Sequence, residues 1–303
     1  MKTRKTEKSM NTKIRYYFKN ALYQLAIAVS PKALLKYQVH RIAGYWPDLD
    51  NPKTFNEKLN WYKLYYHDPL MTRCADKYEM RSYLKEKGLE KYQNEVYGVW
   101  DNVDDIDFEA LPREFVIKST HGTAQTIVCK DKLKLDIAKA KKDMRFWLKT
   151  NQCGAGYEWA YNNIKPRIIC EELIHTEDGL PPKDYKFFCF NGEPKMLFVG
   201  SERVGDQVKF DFFDMEWNHL PVLQGHPNNP VPIAKPDELQ ELIDICRVVS
   251  KDFPHVRVDF YIENHKIMIG ELTFYHFDGF VRFKPHSYDE LFGTYFVLPE
   301  KKC

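Results

Sequence analysis

Val256-Arg257-Val258-Asp259-Phe260-Tyr261-Ile262-Glu263-Asn264-His265-Lys266-Ile267-Met268-Ile269-Gly270-Glu271-Leu272-Thr273-Phe274-Tyr275-His276-Phe277-Asp278-Gly279-Phe280 contains two β-prone runs, Arg257 to Glu263 and Lys266 to Leu272, joined at Asn264-His265. Residues two apart on a strand share a face, so Arg257 lines up with Asp259, and Glu271 with Thr273. Folded as a hairpin, the stretch sets Asp259 and Glu271 opposite each other in apolar surroundings. Two carboxylates so placed repel unless a cation lies between them. Magnesium, which takes hard oxygen ligands, is the natural cation, with Arg257 facing a transferred phosphoryl group. The alternative is a solvated hairpin face on which acids merely alternate with core residues, and periodicity alone favours it.

Upstream, Phe115 to Lys118 and Thr126 to Val128 read as a hairpin around Gly122. Asp184 to Asn191, Pro194 to Ser201 and Gln207 to Phe213 read as a meander whose first turn is Asn191-Gly192. Helical spacing covers Phe55 to Tyr66 after the start signal Asn51-Pro52, then Ala75 to Gly88, Lys132 to Leu148 and Pro236 to Phe253. Arg167 to Ile174 is a hydrophobic strand ending in paired acids. Helices and antiparallel hairpins in mixed order predict an α+β fold.

Composition narrows the function without naming it. The net charge of +2 comes from 45 Lys and Arg against 43 Asp and Glu, so no global field points to nucleic acid. Seven dispersed cysteines, without a CxxC pair, read as reduced thiols and favour the cytoplasm. The apolar segment Ala21 to Leu35 is too short and interrupted to span a bilayer, which needs about 20 apolar residues. With basic flanks it is either a core helix or an amphipathic segment at the inner face of a membrane. Trp61, Trp100, Trp147, Trp159 and Trp217 read first as core or interface fillers.

Arg257-x-Asp259 followed by Glu271-x-Thr273 resembles the metal-binding strands of ATP-grasp enzymes. Phe115-Val116-Ile117-Lys118 and Ser119-Thr120-His121-Gly122-Thr123-Ala124-Gln125 look like that family's strand, phosphate-contacting lysine and mobile phosphate loop. Ile168-Ile169-Cys170-Glu171-Glu172-Leu173-Ile174 looks like its hinge. The phrases Asn51-Pro52-Lys53-Thr54-Phe55-Asn56-Glu57-Lys58, Asp184-Tyr185-Lys186-Phe187-Phe188 and Gly270-Glu271-Leu272-Thr273-Phe274-Tyr275 resemble the TupA-like branch, associated with teichuronopeptide biosynthesis.

The resemblance implies two α+β subdomains whose antiparallel sheets sandwich ATP. The expected division is a helical segment at 1–74, a phosphate-loop subdomain at 75–175 and a metal-site subdomain at 176–303. It implies that Lys118 and Lys186 contact ATP phosphates or the adenine edge, with His121, Gly122 and Thr123 in the phosphate loop. Glu171, Glu172 and Leu173 would sit beside adenine and ribose, and Asp259, Glu271 and Thr273 would hold Mg2+. Arg257 and Lys118 would be catalytic. Arg203, His276 and Asp278 are weaker substrate candidates, and Glu158 and Tyr161 weaker site candidates still. Thr273 stands where many ATP-grasp enzymes carry asparagine, and the single glycine of the loop departs from richer relatives.

The activity implied is a carboxylate-amine ligase acting through an acyl phosphate on a carboxylate-bearing surface glycan or its precursor, with an amino acid or amine as second substrate. A glycosyltransferase, a sugar kinase and a non-catalytic nucleotide or glycan scaffold are the rival readings. Oligomeric state is not legible.

Overall fold

The computed structural model describes residues 20–150, 156–176, 179–204 and 207–302, with backbone alone at 203, 204 and 207. Two antiparallel sheets organise these residues. The smaller joins β1 (Val96–Trp100), β2 (Phe115–Ser119), β3 (Thr126–Cys129) and β4 (Ile168–Glu171) in the order β1-β4-β2-β3. The larger joins β5 (Asp184–Phe190), β6 (Glu193–Val204), β7 (Gln207–Asp214), β8 (His219–Leu220), β9 (His255–Glu263) and β10 (Lys266–Thr273) in the order β10-β9-β5-β6-β7-β8. Besides a helical run at 20–29, the helices of the described residues are α1 (Pro31–Ala43), α2 (Phe55–Tyr65), α3 (Pro69–Ala75), α4 (Glu79–Glu86), α5 (Ile137–Trp147), α6 (Trp159–Asn162), α7 (Leu239–Ser250) and α8 (Ser287–Tyr295). The α+β expectation holds. The turns at Asn191-Gly192 and Asn264-His265 both carry paired positive φ angles, the backbone that two-residue hairpins need.

Two helical expectations change at their edges. The predicted helix 75–88 is interrupted, because α3 ends at Ala75 and α4 starts at Glu79. Asp76, between them, accepts from the backbone of Tyr78 at 2.8 Å and from Arg167 Nη2 at 2.9 Å. An acid that bonds its own backbone competes with the helix. The first turn predicted at 132–148 is a 3-10 turn over Lys132–Lys134, and α5 starts after its own cap, Asp136.

Thr54, not Asn51-Pro52, caps α2. Its hydroxyl accepts from the Glu57 backbone at 3.2 Å while Glu57 Oε2 accepts from the Thr54 backbone at 2.9 Å. Asn56 then reaches α8, donating to Asp289 through backbone and side chain, and Lys58 donates to the carbonyls of Gly293 and Phe296. Phe55 is fully buried and packs edge-on against Phe188, Phe190, His255, Phe283 and Phe292.

The larger core gathers α2, α7 and α8 on the larger sheet, while Phe115, Ile117, Met144, Ile168 and Cys170 form a second core on the smaller. Met80, Tyr83, Tyr92 and Tyr161, which the division at 75–175 grouped with the smaller sheet, pack into the larger core. Phe55→Ala should lower stability by about 3–5 kcal/mol, because the surrounding rings cannot close over the vacated volume. Urea unfolding measures it, and a loss below about 1 kcal/mol would show that Phe55 does not anchor the two elements.

Candidate active site

Three strands set one row of charge across the larger sheet. Lys186 on β5 is in register with Asp259 on β9, and Asp259 with Glu271 on β10; Arg257 and Thr273 form the next pair. The hairpin reaches this register only through a bulge between Ile269 and Glu271. Continuing the pairing of Lys266 with Glu263 would set Gly270 opposite Asp259 and turn Glu271 to the other face. Glycine suits the bulge, since a Cβ at Gly270 would stand 2.7 Å from the Tyr261 ring.

Asp259 is 2% exposed. Burial pushes its carboxyl up, but the Arg257 guanidinium and the Lys186 ammonium outweigh burial and hold it below the ordinary carboxylate range. Arg257 grips it in a fork, Nε to Oδ1 at 2.6 Å and Nη2 to Oδ2 at 2.7 Å, and Lys186 Nζ lies 2.5 Å from Oδ2. The rest of the guanidinium is also engaged: Nη2 donates to Thr273 Oγ1 at 3.0 Å and Nη1 to His276 Nδ1 at 2.8 Å. An arginine can only donate, so Nδ1 accepts and the proton of this ring sits on Nε2. Nε2 then donates to Gln224 Oε1 at 2.8 Å. Arg257 thus clamps Asp259, and Thr273 supports Arg257.

Lys118, on β2, bonds Glu171 Oε2 at 2.8 Å. Lys118 also borders a cleft between the sheets, where a cavity of about 460 Å3 is walled by Val116, Lys118 and Thr126 on one side and Tyr261 on the other, with Glu172, Leu173 and Ile174 along its hinge edge. The volume and the mixture of apolar walls with polar and charged groups suit a small polar organic ligand. In the loop after β2, Gly122 is close-packed, and a Cβ there would stand 2.1 Å from Gln125 Oε1. His121 is buried against α5, its Nε2 3.1 Å from the Trp147 carbonyl, whereas Thr123 is exposed.

Sequence reasoning did not find Lys77, Lys63 or Gln224. Lys77 donates to the Gly122 carbonyl at 2.9 Å and lies 3.3 Å from Glu271, joining the loop to the charge row. Lys63 is fully buried on α2 and donates to the carbonyls of Gly156 and Asp278 at 2.6 and 2.7 Å. It also faces Glu158, whose carboxyl is pushed up by burial and by its hydrogen-bonded neighbour Asp278. Phe277 and Asp278 hold positive φ angles of 45° and 55°, a backbone that costs energy outside glycine and often marks a working site. Arg203 is the penultimate residue of β6, and its side chain lies outside the described residues.

The TupA-like ATPgrasp family profile matches residues 57–297. The chain belongs to this family. A search of curated proteins finds no match. Among solved structures, D-alanine–D-alanine ligase from Bacillus anthracis complexed with ATP is similar at 14% identity and a TM-score of 0.40, over 66% of this chain and 54% of that one. D-alanine–D-alanine ligase from Helicobacter pylori is similar at 14% identity and 0.41, over 76% and 60%, and the ATP-grasp ligase PsnB complexed with minimal precursor at 13% and 0.40, over 69% and 55%. The TupA-like chain thus spans little more than half the length of these ligases. Its assignment rests on membership in the family and not on these distant likenesses.

Family membership implies Mg2+, and the donor set fits it. Asp259 Oδ1 takes one hydrogen bond and keeps a lone pair, and Glu271, with 29% of its side chain exposed, is the open end of the row. Among the described residues no three His, Cys, Asp or Glu side chains form a complete cage. That is the pattern of a cation shared between one or two carboxylates and phosphates.

The buried histidines give this site a pH dependence. Burial, then Arg257, holds His276 well below the ordinary imidazole value, and burial pushes His255 down to about 3. Both are neutral when folded and take up protons when unfolded below about pH 6.5. Stability is therefore full above about pH 6.5 and falls as pH drops toward the folded values, by at most about 1.4 kcal/mol per pH unit for each ring. Urea unfolding between about pH 7 and pH 5 should show this decline, with His276→Gln losing about half the slope. A flat profile would mean that these rings are protonated in place.

Proposed function

We propose that this TupA-like ATP-grasp protein is an ATP- and Mg2+-dependent carboxylate-amine ligase that joins an amino acid or amine to a uronic acid carboxyl of a surface glycan or its precursor, in the cytoplasm. The observation that carries the reading is the Lys186–Asp259–Glu271 row on the strand face of Tyr261, whose ring walls the ligand-sized cavity that Lys118 borders, although the three row residues do not themselves line it. Adenine would lie against Leu173 with ribose near Glu172, and the phosphates would reach Lys118, Lys186 and the loop carrying Gly122 and Thr123. Release of Lys118 from Glu171 would free its ammonium for phosphate. Asp259 and Glu271 would hold Mg2+, which when bound neutralises phosphate charge.

An unactivated carboxylate has no leaving group that an amine can displace. Its oxygen would attack the terminal phosphorus and release ADP; the amine would then attack the acyl carbon and release orthophosphate. Each lysine neutralises charge in a cleft that limits water. Arg257 acts by holding Asp259 in place. The acceptor would occupy a cavity of about 390 Å3 lined by Gln224, His226, Phe277, Asp278 and Arg282, one side chain away from Arg257 through His276.

Glu271→Gln should cut ADP release by roughly 100-fold or more without a change in urea midpoint, since it removes a charge from a partly exposed position. Turnover at the wild-type rate would remove Glu271 from the site. Incubation of the wild type with ATP, uronic acid glycans and amino acids should give ADP and an amide. A stable phosphosugar in its place would make the protein a kinase.

A further inference from the structure

Of the 45 Lys and Arg residues and 43 Asp and Glu residues in the chain, residues 1–41 hold ten of the bases and only Glu7 of the acids. That segment carries nine net positive charges on a chain whose total is +2, so everything beyond it is net acidic. Such asymmetry between parts of one chain marks a local electrostatic footprint.

The described part of this segment also carries an apolar face that the fold leaves open. Residues 20–29 are helical and run into α1 through Ser30, which caps it. Leu22, Leu25 and Val29 are 51%, 64% and 79% exposed. With Ala26 they occupy positions i, i+3, i+4 and i+7, one stripe of a helix. The stripe continues into an open groove of about 370 Å3 reaching Ala33 and Leu34, bordered by apolar groups almost throughout. By contrast, the inward side of α1 is used: Leu35, Val39 and Ala43 pack with Leu49 and Phe280 beneath it. The arm therefore runs out of a helix whose inner side is packed, while residues 20–29 themselves are exposed or half-buried. No described helix is long and apolar enough to cross a membrane.

We infer that the 20–34 arm docks on an anionic lipid surface, its stripe entering the acyl boundary while the net positive charge of residues 1–41 favours anionic headgroups; Lys32, the one base within the arm, is bridged to Asp50. An exposed apolar stripe with lysine and arginine around it is what an interfacial helix requires. Charge selects this occupant over a second copy paired arm to arm, because two copies of residues 1–41, each with nine net positive charges, repel at close range. The inference concerns where the protein works and stands apart from its ligase chemistry.

Co-sedimentation of the full chain with vesicles tests it without nucleotide. Binding to vesicles of phosphatidylcholine with about one-third phosphatidylglycerol should exceed binding to pure phosphatidylcholine by roughly tenfold or more, and fall in high salt. The combined variant Leu22→Gln, Leu25→Gln, Val29→Gln should lose most of the binding while keeping the wild-type urea midpoint. Equal binding to both vesicle types, absence of binding, or wild-type binding by the variant would overturn the inference. So would light scattering that reveals a dimer which the variant dissolves, since a second copy would then be the occupant. Binding retained by the variant but lost on removal of residues 1–19 would place the contact in those residues and reject the stripe.

Discussion

A carboxylate buried as deeply as Asp259 stays charged only where cations outweigh the cost of leaving water. Much of the larger sheet serves to supply them. β5 delivers Lys186 from one side, and Arg257 comes from two residues back on the same strand as the acid. Arg257 is itself buried and needs acceptors, which Thr273 and His276 provide. His276 can accept only while neutral, and its burial among positive neighbours ensures that. Gln224 then fixes the far end of the ring. Such a network is strong when complete and costly when any member is removed, because the loss leaves a buried charge without its partner.

The strand alternation made the Asp259–Glu271 pairing legible, yet for an incomplete reason. An Asn264-His265 turn between Glu263 and Lys266 leads directly to a register that separates the two acids onto opposite faces. One extra residue at Gly270 restores them. Counting in twos cannot see a bulge; a glycine inside a strand is the only local hint of one. The hairpins, the meander and the α+β class were legible because each is written in local turn chemistry and periodicity. Lys63, Lys77 and Gln224 were not, because their partners at Gly156 and Asp278, at Gly122 and Glu271, and at His276 lie far along the chain.

The phrase Asn51 to Lys58, one of three that together resemble the family, is architecture. Thr54 and Glu57 start α2, Phe55 seats it in the aromatic core, and Asn56 and Lys58 tie it to α8. The approach at α8 is so close that a Cβ on Gly293 would stand 2.0 Å from the Lys53 carbonyl oxygen. A second marker, Asp184 to Phe188, carries both kinds of residue: Lys186 points to the charge row while Phe187 and Phe188 fill the core. Specific recognition of a family and location of its chemistry are therefore separate questions, answered by different residues of the same motifs.

Everything proposed for the protein's chemistry depends on the cleft between the sheets taking ATP, with magnesium at the Asp259–Glu271 row. A crystal structure with a nonhydrolysable ATP analogue and Mg2+ tests this most directly. Adenine should lie beside Leu173, the phosphates at Lys118 and Lys186, and the metal between Asp259 and Glu271. A nucleotide bound elsewhere, or a metal that leaves both carboxylates untouched, would contradict it.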